Sequence, residues 1–460
     1  MAVCEDRLEG EVPSSGCAAV VGAGIAGLSA AIALRRAGWH VEVFEKSQFK
    51  NETGAAITVT PNAAVVLDRW GLDREQAQAV PNLEQRIALA GNPAIVIKRD
   101  VYSDTTEEFG HGYWSFHRVD LHRSLGDLAS HPARGHDMGP AVEIRLGREV
   151  TALEPEKGVF QFAGGYEVKK DLIILADGAH MRLLNYMPPQ SRLISDFTGK
   201  PSNVQRTGRS IYRWLISTDN VKAAPDVWAL FENELPGFAA WLDAKKNIYW
   251  ITYCCRGGNV LNNAVVHDTQ AGQNEDDPWN SPASRADVLA LVEDFHPTLK
   301  RMVTMASEDG IKVHHLYKRP ALSSFIHGRA AVVGDAAHVM MPTHAAGAGI
   351  AIESAASLEV LFRGVDGRDT SVVKQRLELF DKLRIPRCNL AMLASNAGPR
   401  WLRVPGLEAE IRKFYSGSLP PPGAQPYSKP FREVLFHHDE YHAAEQALAE
   451  VTSRENPDAE

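Results

Sequence analysis

The stretch VVGAGIAGLSAAIALRRAGWHVEVFEK, residues 20–46, decides the fold that this sequence predicts. It begins in a short apolar run, which is typical of a buried parallel strand and ends at Val21. Three glycines follow at the GxGxxG spacing: Gly22, Gly24 and Gly27. A helix-forming run and a second, alternating strand come next, and that strand ends on Glu45. This unit contains a strand, a glycine turn, a helix and a second strand with an acidic last residue. The combination predicts a dinucleotide-binding site.

Each glycine has its own physical task in such a unit. Gly22 permits the tight turn out of the strand, and Gly27 lets the helix pack closely on the sheet. Gly24 has no side chain, so a pyrophosphate can approach the backbone at the positive end of the helix. An acidic residue about 20 positions further along suits a ribose hydroxyl, so we expect Glu45 to bind the ribose.

The composition is that of a globular enzyme with room for two domains: 460 residues, 44% hydrophobic and 23% charged. A net charge of −8 without Lys/Arg clusters argues against a nucleic-acid partner. Five cysteines without a CxxC pair fit a reducing compartment, and they predict neither a disulfide framework nor a zinc site. With no signal-like start and no run of about 18 apolar residues, we expect a cytoplasmic protein without a membrane partner.

Further segments extend the dinucleotide unit. Residues 332–355, VVGDAAHVMMPTHAAGAGIAIESA, carry a second glycine-containing turn. Residues 171–176 form another buried-strand pattern, which ends at Asp177 and Gly178. Between residues 205 and 267, β-branched and aromatic runs, VWALF among them, predict a separate antiparallel sheet. Residues 284–303 predict one helix, and ligands favour the cleft between two such layers.

Together with HRVDLHRSL, residues 117–125, these segments resemble those of class A flavoprotein monooxygenases, of the para-hydroxybenzoate and salicylate hydroxylase type. The chain is most similar in character to the fungal secondary-metabolite branch. The resemblance spans roughly residues 18–363. It implies an α/β fold with a Rossmann-like, glutathione-reductase-like FAD-binding domain, an inserted antiparallel-sheet substrate domain and C-terminal helices. The implied boundaries are 1–80, 115–190 and 318–370 for the FAD-binding domain, 81–114 and 191–317 for the substrate-binding sheet, and 371–460 for the helical region.

The same resemblance implies the residues that hold FAD. Arg118 would lie along the pyrophosphate, Asp335 would bind ribitol or neighbouring hydroxyls, and Pro342 would lie beside the ring where oxygen reacts. A helix starting at Gly347 would stabilise negative charge at the pyrimidine edge of reduced flavin. For Asp335 a helix N-cap is the structural alternative. The full expected set is Gly22, Gly24, Gly27, Glu45, Lys46, Ala56, Arg118, Asp177, Asp335, Pro342, Ala346, Gly347, Ala348 and Gly349.

One motif departs from the family pattern. The family commonly has Asp-Gly, a hydrophobic residue, His, Ser and, later, Arg, whereas residues 177–182 are DGAHMR. Met181 stands at the serine position, and Arg182 comes two positions early. This segment is associated with FAD and NAD(P)H contacts in the family, so the departure concerns the nicotinamide side.

The implied chemistry needs a flavin C4a-hydroperoxide shielded from water and a positioned substrate, but no protein nucleophile. A nearby cation favours the phenolate form of a phenol. Arg213 and Tyr253 resemble the substrate-anchoring pair of fungal phenol-dearomatising hydroxylases. The alternative for Arg213 is a solvated strand face or a structural ion pair, and the alternative for Tyr253 is a packing role. His344 is expected to pack rather than react. We expect an aromatic pocket wall of Trp214, Trp228, Phe231, Phe238, Trp241 and Trp250.

The predicted activity is insertion of one atom of O2 into an aromatic or phenolic, polycyclic secondary metabolite, with non-covalent FAD and with NADPH or NADH. Alternatives are epoxidation or rearrangement of an indole alkaloid or prenylated quinone, and a non-oxygenating flavoprotein oxidase or dehydrogenase. We expect a monomer or homodimer. No metal site is predicted, because residues 437–440, HHDE, lack metal-ligand spacing and are expected on a solvated helix face. Residues 166–170 match Tyr-x-x-x-Lys but predict a hairpin strand.

Overall fold

The computed structural model describes most of the chain. The described residues are 16–49, 55–102, 105–131, 139–178, 204–232, 234, 236–270, 280–398, 404–425 and 428–455. The strands are β1 Cys17–Val21, β2 His40–Glu45, β3 Ala56–Val59, β4 Val80–Pro81, β5 Glu84–Leu89, β6 Asn92–Val101, β7 Trp114–His117, β8 Glu143–Leu146, β9 Val150–Glu154, β10 Val159–Phe162, β11 Glu167–Lys169, β12 Leu172–Leu175, β13 Gln205–Ser217, β14 Gly237–Asp243, β15 Ile248–Cys255, β16 Val260–Asp268, β17 Asn280–Pro282, β18 Lys312–Lys318, β19 Ile326–His327 and β20 Ala330–Val332. The helices are α1 Ile25–Arg36, α2 Pro61–Trp70, α3 Thr105–Phe109, α4 Arg118–Ser130, α5 Thr218–Lys222, α6 Pro225–Trp228, α7 Arg285–Leu291, α8 Pro297–Thr304, α9 Asp335–His338, α10 Gly347–Phe362, α11 Thr370–Ala397, α12 Leu407–Arg412, α13 Lys429–Phe436 and α14 Glu440–Glu455.

A six-stranded sheet forms the nucleotide layer, in the order β19-β20-β12-β1-β2-β8. The central strand β1 pairs in parallel with β2 and with β12. Both β1 and β12 are buried, as the continuous apolar runs predict. At Gly22 the backbone turns with φ +102°, and a side chain there would overlap the carbonyl oxygen of Ala176. The strand–turn–helix unit and the Rossmann-like fold are therefore confirmed.

An eight-stranded sheet forms the second layer, in the order β17-β18-β13-β16-β15-β14-β5-β6. Its pairs are antiparallel except for β14 with β5. Successive side chains point to opposite faces of a strand. Ile251 and Tyr253 of β15 pack against the core of the nucleotide layer, whereas Trp250 belongs to a second core that includes residues of α8. The face that carries Tyr253 therefore meets the nucleotide layer.

The tryptophans correct the predicted pocket wall. Five of the six expected aromatic residues belong to or pack against the second core, on the side of the sheet turned away from the nucleotide layer: Trp214, Trp228, Phe231, Trp241 and Trp250. Trp214 and Trp250 are at most 2% exposed, and their rings meet edge-on at 5.1 Å. Phe238 alone of this set packs against the first core, with its ring centroid 5.1 Å from that of Tyr253.

Three local predictions are wrong. Residues 284–303 form two helices, α7 and α8, because Pro297 starts a new helix and cannot continue the old one. The VWALF segment, residues 227–231, was expected to be a strand, but its first two residues end the helix α6. This helix covers residues 225–228 and has Pro225 in its first turn. Cys17 is disulfide-bonded, contrary to the expectation of thiols throughout.

A buried ion cluster joins α10 to the C-terminal helices. Glu353 is fully buried and accepts hydrogen bonds from Arg384 at 2.9 Å and Arg387 at 2.8 Å. Burial alone would raise the pKa of Glu353, but the two arginines lower it to about 2. Arg384 also pairs with Glu440, which is 1% exposed. The expected solvated face therefore holds for His437 and Asp439, which are exposed, but not for Glu440, whose buried carboxylate is paired with an arginine.

None of the described helices is long and apolar enough to cross a membrane.

Candidate active site

The glycine turn leaves the start of α1 open. Gly24 is the N-cap of this helix and makes no side-chain cap, and a Cβ built on it would have no atom within 4 Å. The first turn of α1 carries no acidic residue, so its free N–H groups and dipole remain uncompensated. A Cβ on Gly27 would instead overlap the carbonyl oxygen of Gly22. Gly24 therefore fits a phosphate-binding role, and Gly27 a packing role.

The carboxylate of Glu45 is fixed beside this turn. It accepts hydrogen bonds from the backbone N–H of Ala23 at 2.9 Å and of Ser47 at 2.7 Å. Both bonds hold the side chain at the end of β2, next to the glycine turn. The adjacent Lys46 is exposed. The ribose contact of Glu45 and the cofactor contact of Lys46 stay predictions.

Arg118 and Asp335 come from distant segments and act on each other electrostatically. Burial raises the pKa of the Asp335 carboxyl, and the charge of Arg118 opposes this rise. The side chain of Asp335 is nevertheless exposed. The Asp335 carboxyl is thus reached by solvent yet closely surrounded by protein atoms, as in a concave surface. Gly334, not Asp335, is the N-cap of α9, so the capping alternative for Asp335 is wrong.

The end of β12 adds a second acid to this region. Asp177 is half-buried. Burial lowers the pKa of Arg319, and the negative charge of Asp177 opposes this effect. Arg319 is itself buried and donates a hydrogen bond to the carbonyl oxygen of Ala336 in α9. No motif in the sequence pointed to Arg319. Met181 and Arg182 lie outside the described residues.

The second glycine segment forms a tight turn and a helix start. Pro342 begins a single helical turn, and Ala346 is the N-cap of α10. A Cβ on Gly347 would point into open space, whereas one on Gly349 would lie 2.7 Å from Thr60 Oγ1. The first turn of α10, which includes Ala348, has no acidic residue. The helix start at Gly347 can therefore face a bound group, while Gly349 lets α10 approach α2.

His344 behaves as a packing residue. It is 1% exposed, and its ring stacks on Phe431 with a centroid distance of 4.4 Å. Burial lowers its pKa to about 3, so the imidazole is neutral at physiological pH.

Arg213 and Tyr253 share the face of the eight-stranded sheet that meets the nucleotide layer. Arg213 is opposite Ala264, and Ala264 is opposite Ile251. Cross-strand partners lie on one face, and so does the residue two positions further, Tyr253. The Tyr253 hydroxyl donates a hydrogen bond to the carbonyl oxygen of Ala56 at 3.1 Å.

Burial dominates the electrostatics of this pair. It lowers the pKa of Arg213, an effect that Tyr253 opposes and Arg118 strengthens. It raises the pKa of Tyr253 to about 12, against the influence of Arg213. Among the described residues no carboxylate pairs with Arg213, and its buried Nε has no hydrogen-bond partner. The structural ion pair that was one alternative for Arg213 is thus not formed among the described residues, and the arrangement suits an anionic oxygen.

Two neighbours of this pair were not predicted from the sequence. His314 on β18 is opposite Ile211 and therefore shares the face of Arg213. Burial, reinforced by the charge of Arg213, lowers the pKa of His314 to about 3. Asn262 is opposite Tyr253 and accepts a hydrogen bond from the Ala56 N–H at 3.3 Å. Both lie in strands whose sequence shows only alternation, so no motif marks them.

A charged contact ties the eight-stranded sheet to the nucleotide layer. Arg256, at the turn after β15, donates two hydrogen bonds to Asp120, at 2.9 and 3.2 Å. Asp120 is buried and lies two residues after Arg118 in α4. This ion pair therefore joins the helix that begins at Arg118 to the eight-stranded sheet.

A Rossmann-like layer with an open phosphate-type turn, packed against a second sheet, is the arrangement that the resemblance to FAD-dependent monooxygenases implies. The sequence profile described as pyridine nucleotide-disulphide oxidoreductase matches residues 18–204. Hispidin-3-hydroxylase of Neonothopanus nambi is 31% identical over 82% of this chain and 86% of its own length. The FAD-dependent monooxygenase cfoG of Aspergillus candidus is 28% identical over 95% of each chain. A solved salicylate hydroxylase substrate complex has the same fold, with a TM-score of 0.71 at 23% identity over 94% of this chain and 98% of that chain.

The chain therefore belongs to the FAD-dependent monooxygenase family. This confirms the resemblance inferred from the glycine segments, and FAD is the cofactor of the family. The open space at Gly24, the uncompensated helix start and the fixed carboxylate of Glu45 fit its adenosine and pyrophosphate parts. The non-oxygenating oxidase alternative is not supported.

Proposed function

We propose that this protein hydroxylates a phenolic aromatic substrate, with NADPH or NADH as the electron donor. One atom of O2 enters the substrate and the other leaves as water, while the nicotinamide supplies two electrons. Bound FAD supplies the activation of O2. The residues of the chain bind the substrate, orient it and hold its charge.

The observation that carries this proposal is the state of Arg213. Its guanidinium is crowded by protein, has no carboxylate partner among the described residues and lies on the sheet face toward the nucleotide layer. A cation in such a place stabilises a phenolate, and a phenolate ring is more nucleophilic than the phenol. We assign Arg213 the task of holding the substrate oxygen in its anionic form.

Tyr253 and Phe238 complete the proposed binding wall. The Tyr253 hydroxyl stays protonated at physiological pH, since burial raises its pKa to about 12. It can therefore donate a hydrogen bond to the same substrate oxygen after leaving the Ala56 carbonyl. Phe238, in edge contact with Tyr253, supplies apolar surface that excludes water.

The test compares phenols with their methyl ethers. The FAD-loaded protein is incubated with NADPH or NADH, isotope-labelled O2 and paired hydroxybenzoates and methoxybenzoates. We expect one labelled oxygen atom in the products of the phenols and none from the ethers, because an ether cannot form a phenolate. Equal oxidation of both series would refute the phenolate proposal. If neither series is oxidised, oxidation of indoles under the same conditions would favour epoxidation.

A further inference from the structure

A closed circuit of contacts surrounds the glycine turn at the start of α1. The carboxylate of Glu45 accepts hydrogen bonds from the N–H of Ala23 at 2.9 Å and of Ser47 at 2.7 Å. The Ser47 hydroxyl accepts one from the N–H of Phe49 at 3.0 Å. The ring of Phe49 packs on that of His122, with 4.7 Å between the centroids. His122 Nε2 lies 2.6 Å from the carbonyl oxygen of Ala23, which closes the circuit.

The contact of His122 with Ala23 has a defined polarity. A carbonyl oxygen can only accept, so His122 Nε2 carries the proton and donates it. His122 lies in α4, four residues after Arg118 at the start of that helix. Residues four apart lie on one face of a helix. The residue expected along the FAD pyrophosphate and the residue that holds the glycine turn therefore come from the same helix face.

The hydrogen bond to Ala23 also orients the N–H of Gly24. The Ala23 carbonyl and the Gly24 N–H belong to one peptide unit, and in a trans peptide these two groups point in opposite directions. Holding the carbonyl toward His122 therefore turns the Gly24 N–H away from it. Among the described residues nothing accepts a hydrogen bond from that N–H. It stays available to a group that approaches the start of α1.

Phe49 adopts an unusual backbone conformation where it reaches His122. Its φ is +51°, in the left-handed region that residues with a side chain seldom occupy. Such a conformation persists only where the surroundings hold it. Here the Ser47 hydroxyl holds the Phe49 N–H, and the His122 ring packs against its side chain. The circuit thus fixes His122 from its apolar side as well as through its hydrogen bond.

We propose that His122 is a positioning residue for the FAD pyrophosphate. Through the Ala23 carbonyl it holds the Gly24 N–H in the direction from which this N–H donates to a phosphate oxygen. Glu45 fixes the preceding peptide through the Ala23 N–H, so both peptide planes beside Ala23 are held before the cofactor arrives. A donor that is already oriented loses little freedom on binding, which increases affinity.

The test is a fluorescence titration of the flavin-free, full-length chain with FAD. His122→Phe keeps a ring for Phe49 to pack on but removes the donor, and we expect its Kd for FAD to rise about tenfold. His122→Gln returns an N–H at similar reach and should bind FAD within about threefold of the wild type. ADP, which carries a pyrophosphate, should compete more weakly for His122→Phe by the same factor, whereas adenosine should compete equally well for both proteins.

His131→Phe is the matched control, because His131 is an exposed histidine at the other end of the same helix. It should leave the Kd for FAD unchanged. A wild-type Kd in His122→Phe overturns the proposal. So does an equal loss of ADP and adenosine binding, or a His122→Gln variant that binds no better than His122→Phe. If circular dichroism shows that His122→Phe does not fold, His122→Asn replaces it with the same expected result, since the shorter amide does not reach the Ala23 oxygen.

Discussion

Arg213→Gln tests the proposed phenolate site most directly. The substitution removes the guanidinium charge but keeps a polar side chain of similar length. It lies on the sheet rather than at the glycine turn, so FAD occupancy and the circular dichroism spectrum should stay at the level of the wild type. The rate of product formation should fall, because the bound phenol loses the cation that holds it ionised.

The magnitude follows from the surroundings of Arg213. Two unit charges about 4 Å apart attract by about 4 kcal/mol at the effective dielectric constant of a protein. Arg118 acts electrostatically on the same site and leaves part of the positive potential in place, so we expect a loss of ~2–4 kcal/mol. This corresponds to a decrease in oxygenation rate of about 30-fold to about 900-fold. Loss of the cation raises the pKa of the bound phenol, so the pH at which activity is half-maximal should rise by ~1.5–3 units.

The assay follows NAD(P)H consumption, product and hydrogen peroxide in the same reaction. We expect NAD(P)H oxidation to continue in Arg213→Gln, with peroxide released and little product formed. Arg209→Gln is the control, since Arg209 is on the same strand but already pairs with Asp268 at 2.7 Å. An unchanged yield of product per NAD(P)H in Arg213→Gln, or an equal loss in Arg209→Gln, would refute the reasoning.

Four other outcomes are expected. Tyr253→Phe should lower the product rate less, by about twofold to about tenfold in the same assay, because it removes one hydrogen bond. Gly24→Val should purify folded but with little flavin absorbance, because its side chain fills the open space at the start of α1. Asp335→Asn should lower FAD occupancy, measured by equilibrium dialysis, without changing the urea midpoint of the flavin-free protein. Glu353→Gln should instead cost ~3–5 kcal/mol in the free energy of unfolding, because it leaves buried Arg387 without its carboxylate and Arg384 with Glu440 alone. The Glu353 pKa is about 2 in the folded chain. The stability difference between wild type and Glu353→Gln should therefore be full above pH ~4.5 and shrink as the pH falls toward 2. Urea titrations at several pH values would measure it.

The glycine turn was predictable from the sequence because its parts are contiguous. Strand, turn, helix and Glu45 follow one another within residues 20–46, so their mutual positions depend on local geometry. The carboxyl end of β12 was predictable for the same reason, since an apolar run stops at Asp177. Both cases needed only the rule that parallel strands are buried and end at one edge of the sheet.

The pocket wall was not predictable, because both faces of the inserted sheet are covered. Alternation shows that Arg213 and Trp214 point to opposite faces of β13, but not which face meets the nucleotide layer. Helices of later sequence cover the tryptophan face, and their contacts are not encoded within the strand. The buried ion cluster of Glu353 was not predicted for a related reason, since its arginine partners come from another helix.

The division of β13 and β15 into two faces has an evolutionary consequence. The tryptophan face maintains a dense core, while the alternate positions of the same strands carry Arg213 and Tyr253. A substitution at an alternate position leaves the volume of the tryptophan core untouched, so it carries none of the cavity cost that a change within that core does. On the proposed role of Arg213 and Tyr253 in substrate binding, single mutations on that face can thus alter which molecules are accepted while the fold persists. A lineage built on this sheet can diversify its chemistry one side chain at a time.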